Sequence, residues 1–311
     1  MSRLLGYAKT IFWILVFLNV APYLVNGIRT SYTELFVPYT KLGLLTIDEP
    51  LTDSTWHLKQ LQSFFEDPEI KAILLKIESP GGTAGSSQAL FNEIRELKKL
   101  YPKPIIALTE NICTSGAYYV ACATDYIIAS PSALVGNIGA QLTTIFDLHS
   151  CLQQWKIETH VISAGTYKSA GDPFTTLTPE QKALLESVTQ DIYEQFAADV
   201  AHTRKLALKK KDEWADGKVF TGRQAAQLQL VDALGSFSTA VQKIKSSIAV
   251  THEILWVTPE QPFSLSGLFG KTNQEPSPLT QGALRLAYGC TSSSVFQHLA
   301  HLPAHQSSLV K

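Results

Sequence analysis

Three short stretches of this chain carry groups whose types and spacing suit acyl-transfer chemistry. The segment "ENICTSGAYYVACATDYIIASPSALVGNIGA", beginning at Glu110, sets Ser115 between a strand-like piece and a short helix of small residues, Ala117 to Ala123. A plain turn needs a glycine or two, not a serine at the mouth of a helix. A serine there gains exposure and the positive end of the helix dipole, but it stays a poor nucleophile until a base takes its proton. The segment "ESPGGTAGSS" follows a strand ending at Glu78 and opens a helix. Its Gly81 and Gly82 allow a tight turn with free amides, which in isolation reads first as an ordinary strand-to-helix turn and, as the functional alternative, as an oxyanion hole.

The base is the harder residue to find. His149 and His160 follow Ser115 without a supporting glycine or acid context, and His298, His301 and His305 crowd the end of the chain. The third stretch, "SAGTYKSAGDPF", places Lys168 among glycines and small residues after a strand-like piece. An isolated lysine normally faces solvent, and it acts as a base only when neutral. At the ordinary lysine pKa of about 10.4, well under about 1% is neutral at pH 7. Burial beside apolar groups lowers that value. Apart from Lys168 itself, residues 163 to 170 carry no charge, which suits an apolar pocket; Asp172 is the nearest acid and opposes it.

The rest of the composition bounds the setting. With 311 residues, 45% hydrophobic and 17% charged, the chain can bury at least one sizeable core. A formal net charge of −1 argues against a nucleic-acid partner. Lys209 to Lys211 are followed at once by Asp212 and Glu213, the pattern of a solvated helix start. Four cysteines lie at no metal-ligand spacing, and Cys113 and Cys122 sit among apolar neighbours as buried free thiols do. At the N-terminus, Arg3 and Lys9 precede an apolar stretch from Ile11 to Ile28 that approaches the roughly 20 residues needed to span a bilayer. Asn19 and Ala21 make a poor cleavage site, so an uncleaved anchor is expected, with the basic end in the cytoplasm and the bulk of the chain outside.

These groups need elements to position them. "KLGLLTID", "IKAILLKIES", "PIIALTE", "YIIAS" and "ETHVISAG" read as strands, with "DSTWHLKQLQSFFED" and "SSQALFNEIRELKKL" as amphipathic helices between them. That alternation predicts an α/β domain with right-handed crossovers. A long helix starts at Thr178, with Pro179 at its first position and Gln181 completing a capping box; Thr221 and Gln224 repeat the box. The expected organisation is an anchor and linker over residues 1–36, a catalytic domain over 37–258, and a loosely ordered tail over 259–311 rich in Ser, Gln, Pro and Gly.

Taken together and in order, "SPGG", "TSGAYYVACATDYIIASPSALVGNIG", "SAGTYKSAGDPFTTLTPEQ" and "ADGKVFTGRQAAQLQLVDALG" resemble the signal peptide peptidase (SppA) family of serine-lysine peptidases in its short bacterial form. The 53-residue separation of Ser115 and Lys168 is typical of that family, and the resemblance covers Lys41 to Ala249. It implies Ser115 as nucleophile, Lys168 as general base, and Gly82 and Gly116 at the oxyanion hole. In "LVGNIG", Asn137 stands where the family usually has a serine that orients the lysine; an Asn carbonyl oxygen can also accept from an amine. The implied fold is α/β and crotonase-like, a spiral of strand-helix units of the Clp/crotonase superfamily with a C-terminal helical region. Also implied are a homo-oligomeric ring, signal peptides and other short hydrophobic peptides as substrates, and no metal or organic cofactor. The implied location is the bacterial inner membrane, with the catalytic domain on the periplasmic side. Three other readings compete with this one. A Clp-type protease lacks its histidine here, an acyl-CoA hydratase or isomerase leaves Lys168 unexplained, and an inactive anchored scaffold is motivated by Asn137.

Overall fold

The computed structural model describes residues 39–142 and 144–259, with isolated helical positions between 13 and 25. Most of the expected anchor and the tail beyond residue 259 lie outside the described residues. Among the described residues no helix is long and apolar enough to cross a membrane.

The chain divides into two units, residues 1–138 with 197–260 and residues 139–196 with 261–311. The first is built on a six-stranded sheet in the order β8-β5-β3-β2-β1-β9, comprising β1 (Tyr39–Ile47), β2 (Ile70–Ile77), β3 (Ile105–Thr109), β5 (Tyr126–Ala129), β8 (Ala233–Leu234) and β9 (Glu253–Val257). Every pairing in it is parallel. Parallel sheets are covered on both faces, so their strands read as near-continuous apolar runs. "IKAILLKI" is such a run, with Ile73, Leu74, Leu75 and Ile77 fully buried.

One face of the sheet packs Leu42, Leu74, Ile106, Leu108 and Ile128 against Ala240 and Ile244 of α8 (Phe237–Ser247). On the other face α1 (Thr55–Glu66) comes so close that a Cβ at Gly43 would lie 2.6 Å from the Phe64 ring. α2 (Ala84–Leu100) buries Leu90, Phe91, Ile94 and Leu97 at helical spacing. A smaller sheet, β4-β6-β7, is made of β4 (Ile112–Thr114), β6 (Leu134–Gly136) and β7 (Val219–Thr221).

His57 in α1 is only 4% exposed, and its Nδ1 has no partner among the described residues. Burial pushes this imidazole below its ordinary value of 6.5, against the opposing pull of Glu49, the Thr46 carbonyl, Asp48 and Asp53. The fold therefore holds it neutral. Its contribution to stability is fully present above pH 6.5, where the unfolded chain is neutral too, and is lost as pH falls through 6.5 toward the lower folded value. Melting temperatures taken from pH 7 to pH 5 should fall less steeply for His57→Phe than for the wild type. Equal slopes would show that His57 is not the group responsible.

The second unit contains α4 (His149–Gln154) and the start of the 26-residue α5 (Pro179–Arg204). The expected capping box is present, with the Thr178 amide donating to Gln181 Oε1 at 3.2 Å and the Gln181 amide donating to Thr178 Oγ1 at 3.2 Å. The box at Thr221 and Gln224 is present too, opening α7 (Gly222–Gln227). The strand expected over residues 158–165 is not formed: these residues are irregular and mostly exposed. An apolar-polar alternation becomes a strand only where a partner satisfies its amides and carbonyls, and no strand among the described residues pairs with this one. Among the described residues 139–195, no hydrophobic side chain is buried, whereas Phe146, Trp155, Ile162 and Phe174 are exposed.

Candidate active site

Ser115 sits between β4 and α3 (Gly116–Ala121), where the sequence placed it. Its backbone adopts φ +53° and ψ −128°, a conformation that L-residues rarely hold. Two hydrogen bonds hold it there: the Ser115 amide donates to the Gly136 carbonyl at 2.8 Å, and the Tyr119 amide donates to the Ser115 carbonyl at 3.0 Å. Such a strand-serine-helix elbow lifts a side chain out of its surroundings. Ser115 is half-buried, between a buried Thr114 and a buried Gly116.

The turn after β2 is stitched to the strand that carries the serine. The Ser79 amide donates to the Ile112 carbonyl at 2.9 Å and the Thr114 amide to the Ser79 carbonyl at 3.3 Å, while Thr114 Oγ1 donates to the Pro80 carbonyl at 3.0 Å. Leu51 clamps the far side of the turn: its amide donates to the Gly81 carbonyl at 2.8 Å, and its carbonyl accepts from the Thr83 amide at 2.9 Å. Both glycines are forced by this arrangement, for different reasons. Gly81 holds φ +108°, and a Cβ on it would lie 2.8 Å from Ser115 Cβ. A Cβ on Gly82 would lie 2.2 Å from the Leu51 carbonyl oxygen, a backbone atom that cannot yield.

Gly116 is pressed just as closely, since a Cβ there would meet Ser87 Oγ at 2.1 Å and the Gly82 nitrogen at 3.3 Å. The Gly82 amide is therefore close to Gly116, and neither glycine's amide donates to a protein acceptor among the described residues. Two unspent donors beside a strained serine form the kind of arrangement that stabilises an oxyanion.

Asn137 joins this group through register. β4 and β6 run parallel with Thr114 opposite Gly136, so Asn137 follows β6 as Ser115 follows β4. Asn137 holds φ +52°, and its amide donates to the Lys218 carbonyl at 2.7 Å.

The thiols nearby are not competitors. Burial pushes Cys113 well above the ordinary thiol value and Cys122 up to about 12, so neither supplies a thiolate at neutral pH. Tyr119 is also held protonated, raised first by burial and then by its hydrogen bond to Asp199.

Lys168 lies in the second unit, in a turn where its amide donates to the Gly165 carbonyl at 3.1 Å. Gln181 Nε2 donates to the Thr166 carbonyl at 3.4 Å and ties that turn to the start of α5. The apolar burial expected around Lys168 is absent, and its side chain is exposed in the single chain. The physical reason is that, among the described residues, 139–195 bury no hydrophobic side chain that could desolvate it. Asp172, the opposing acid, is engaged within its own turn, accepting from the Phe174 amide at 2.8 Å. Ser115, Gly82, Gly116 and Asn137 thus share the first unit, and Lys168 belongs to the other. No group of His, Cys, Asp and Glu suited to a metal occurs among the described residues.

Leu51 and Ser87 contribute to the site without any signal in the sequence, whereas Ser79 and Thr114 lie inside the quoted motifs with no role attached and Glu78 shows only as an acid at the end of an apolar strand just before "SPGG".

Comparison with known proteins gives this geometry its context. The model of "Peptidase family S49" matches residues 98–251, a stretch that includes Ser115, Asn137 and Lys168 but not the turn with Gly82. "Putative protease MJ0651" of Methanocaldococcus jannaschii is 31% identical over 268 residues, covering 86% of this chain and 82% of that protein. "Serine protease SPPA, chloroplastic" of Arabidopsis thaliana is 32% identical over 208 residues, 66% of this chain and 30% of that one. "Putative signal peptide peptidase SppA" of Enterococcus faecium is 28% identical over 194 residues, 62% of this chain and 56% of that protein. The chain spans less than two thirds of the length of the latter two.

Proposed function

The chain belongs to the SppA family of peptidases, peptidase family S49, and on that premise we propose that it is a membrane-anchored serine endopeptidase working through a dyad of Ser115 and Lys168. The observation that carries this reading is the strained elbow at Ser115 beside the unspent amides of Gly82 and Gly116. Ser115 Oγ attacks the carbonyl carbon of the scissile peptide bond while the neutral Lys168 amine takes its proton. The carbonyl oxygen becomes an oxyanion and takes up hydrogen bonds from the two glycine amides. Collapse breaks the C–N bond, and the lysine ammonium returns the proton to the leaving amine. Water, activated by the same amine, then hydrolyses the acyl-enzyme and frees the serine. Asn137, beside Ser115 in the strand register, offers a carbonyl oxygen that would orient the lysine amine.

The substrates in this reading are cleaved signal peptides and other short hydrophobic peptides. The fold is the crotonase-like spiral, and the chain is held in the bacterial inner membrane by residues 11–28 with its catalytic domain on the outer side. A homo-oligomeric ring is supported by residues 139–195, where no hydrophobic side chain among the described residues is buried; Ile162 is 98% exposed and Trp155 75%. Exposed apolar side chains of that size are what an interface covers, and further copies of the chain would cover them and dry the surroundings of Lys168.

The test is cleavage by the detergent-solubilised full chain of two quenched-fluorescent peptides of equal length, one a signal-peptide core and one polar. Preferential cleavage of the apolar peptide is expected. Cleavage of neither by the assembled oligomer would move the assignment to an inactive scaffold, and equal cleavage of both would remove the signal-peptide specificity.

A further inference from the structure

Glu78 follows Ile77, the last residue of β2, and leads directly into the turn that holds Gly82. Its carboxylate crosses to the bend joining β3 to β4. Oε1 accepts from the Glu110 amide at 2.8 Å, and Oε2 accepts from the Asn111 amide at 2.9 Å and the Ile112 amide at 3.4 Å. These three donors lie where the chain leaves the large sheet and enters the small one. Two residues before Glu78, Lys76 pairs with Glu110 at 2.8 Å, so the same bend is gripped twice. Downstream of it run Ile112 to Thr114 and then Ser115. One side chain therefore fixes the start of the nucleophile strand to the start of the oxyanion turn, before the bridges at Ser79 and Pro80 take over.

We propose that Glu78 is a positioning residue for the peptidase reaction: its carboxylate sets the spacing between Ser115 Oγ and the Gly82 amide. This rests on the roles given above to Ser115 and Gly82. The physical case is that a carboxylate accepting several amides makes charge-assisted bonds, about twice as strong as neutral ones. No other residue type keeps the same reach with acceptors only. Glutamine at 78 would turn an NH2 donor toward one of the donor amides, and alanine would leave the amides of the bend without their acceptor. The effect should fall on the transition state, since oxyanion donors act only when they meet the developing charge at hydrogen-bond distance.

The experiment measures the rate at which a fluorophosphonate probe labels the full chain, together with kcat and KM on a cleaved peptide. The phosphoryl oxygen of the probe uses the same amides without depending on peptide specificity. Asp125→Ala serves as the matched control: Asp125 also accepts a backbone amide, from Ile105 at 2.9 Å, and pairs with a lysine, Lys98, at 2.6 Å, at the entry to β3. We expect Glu78→Ala to slow labelling and kcat about 10- to 100-fold with KM within about twofold. Glu78→Asp should fall between it and the wild type, whereas Asp125→Ala, compared at an equal loss in melting temperature, should stay near wild-type rates.

Wild-type rates in Glu78→Ala, or an equal slowing in Asp125→Ala, would overturn the assignment and leave Glu78 a structural residue. If Glu78→Ala does not fold, the comparison of Glu78→Asp with Asp125→Ala decides in the same way. Labelling that persists in Ser115→Ala would be a different failure, that of the nucleophile itself, and the positioning role would fall with it.

Discussion

Ser115→Ala should abolish peptide cleavage, with kcat falling at least about a thousandfold while substrate affinity and assembly are retained. Loss on this scale follows from chemistry: without Oγ there is no acyl-enzyme, and the glycine amides alone must stabilise a direct attack by water. The fold should tolerate the change. Ser115 Oγ makes no hydrogen bond to protein among the described residues, and alanine must hold the same positive φ that serine already holds. The measurement is turnover of the apolar peptide by wild type and variant at equal oligomer concentration. Equal turnover would mean another nucleophile or a contaminating peptidase. Cys113 and Cys122 are excluded as that nucleophile by their buried, protonated thiols.

Lys168→Arg should be nearly as damaging, with a loss of about 10²- to 10⁴-fold in kcat, the range that a general base supplies. Arginine keeps the length and the charge but does not deprotonate in the working range, so it cannot take the serine's proton. The substitution separates a base from a mere cation: a lysine that only binds the substrate C-terminus or orders a loop would be replaced by arginine with small loss. Lys168 is exposed in the single chain, so in the proposed reading its desolvation comes from assembly. Activity should therefore fall when the oligomer is diluted to protomers, while Ser115 keeps its elbow. An arginine variant with more than about a third of wild-type kcat would remove Lys168 as base.

The four inner strands of the large sheet were legible because they are apolar and largely buried. "KLGLLTID" and "IKAILLKIES" announce themselves by unbroken apolar runs, and the two capping boxes by side chains three residues apart. β7 and β8 were not legible, being three and two residues long and existing only through their pairing. The opposite error at "ETHVISAG" has the same cause, a strand-like pattern with no partner to complete it. At the site, Ser115 and Gly82 were visible because turn chemistry is local. The group around them is not local. Glu78 reaches amides more than thirty residues away, and Leu51 clamps Gly81 and Thr83 through backbone atoms that no residue identity reveals. Asn137 comes beside Ser115 only once β4 and β6 have chosen their register.

The order of strands in the large sheet also bears on how the protein is born. Its four inner strands come from residues 39–129, whereas both outer ones, β8 and β9, are made from residues 233 onward. During synthesis the inner four emerge early and remain open along both margins while about a hundred further residues are translated, a period of several seconds or more at roughly 5–20 residues per second. Unpaired margins of apolar parallel strands recruit other chains. A nascent chain of this protein is thus most exposed to misassembly just when Ser115 and the turn of Gly81 and Gly82 are already on the ribosome's far side, and its dependence on chaperones should be concentrated in that interval. The same timing places both margins under the control of the last stretch of the domain, so a truncated product is left with a sheet open at both sides.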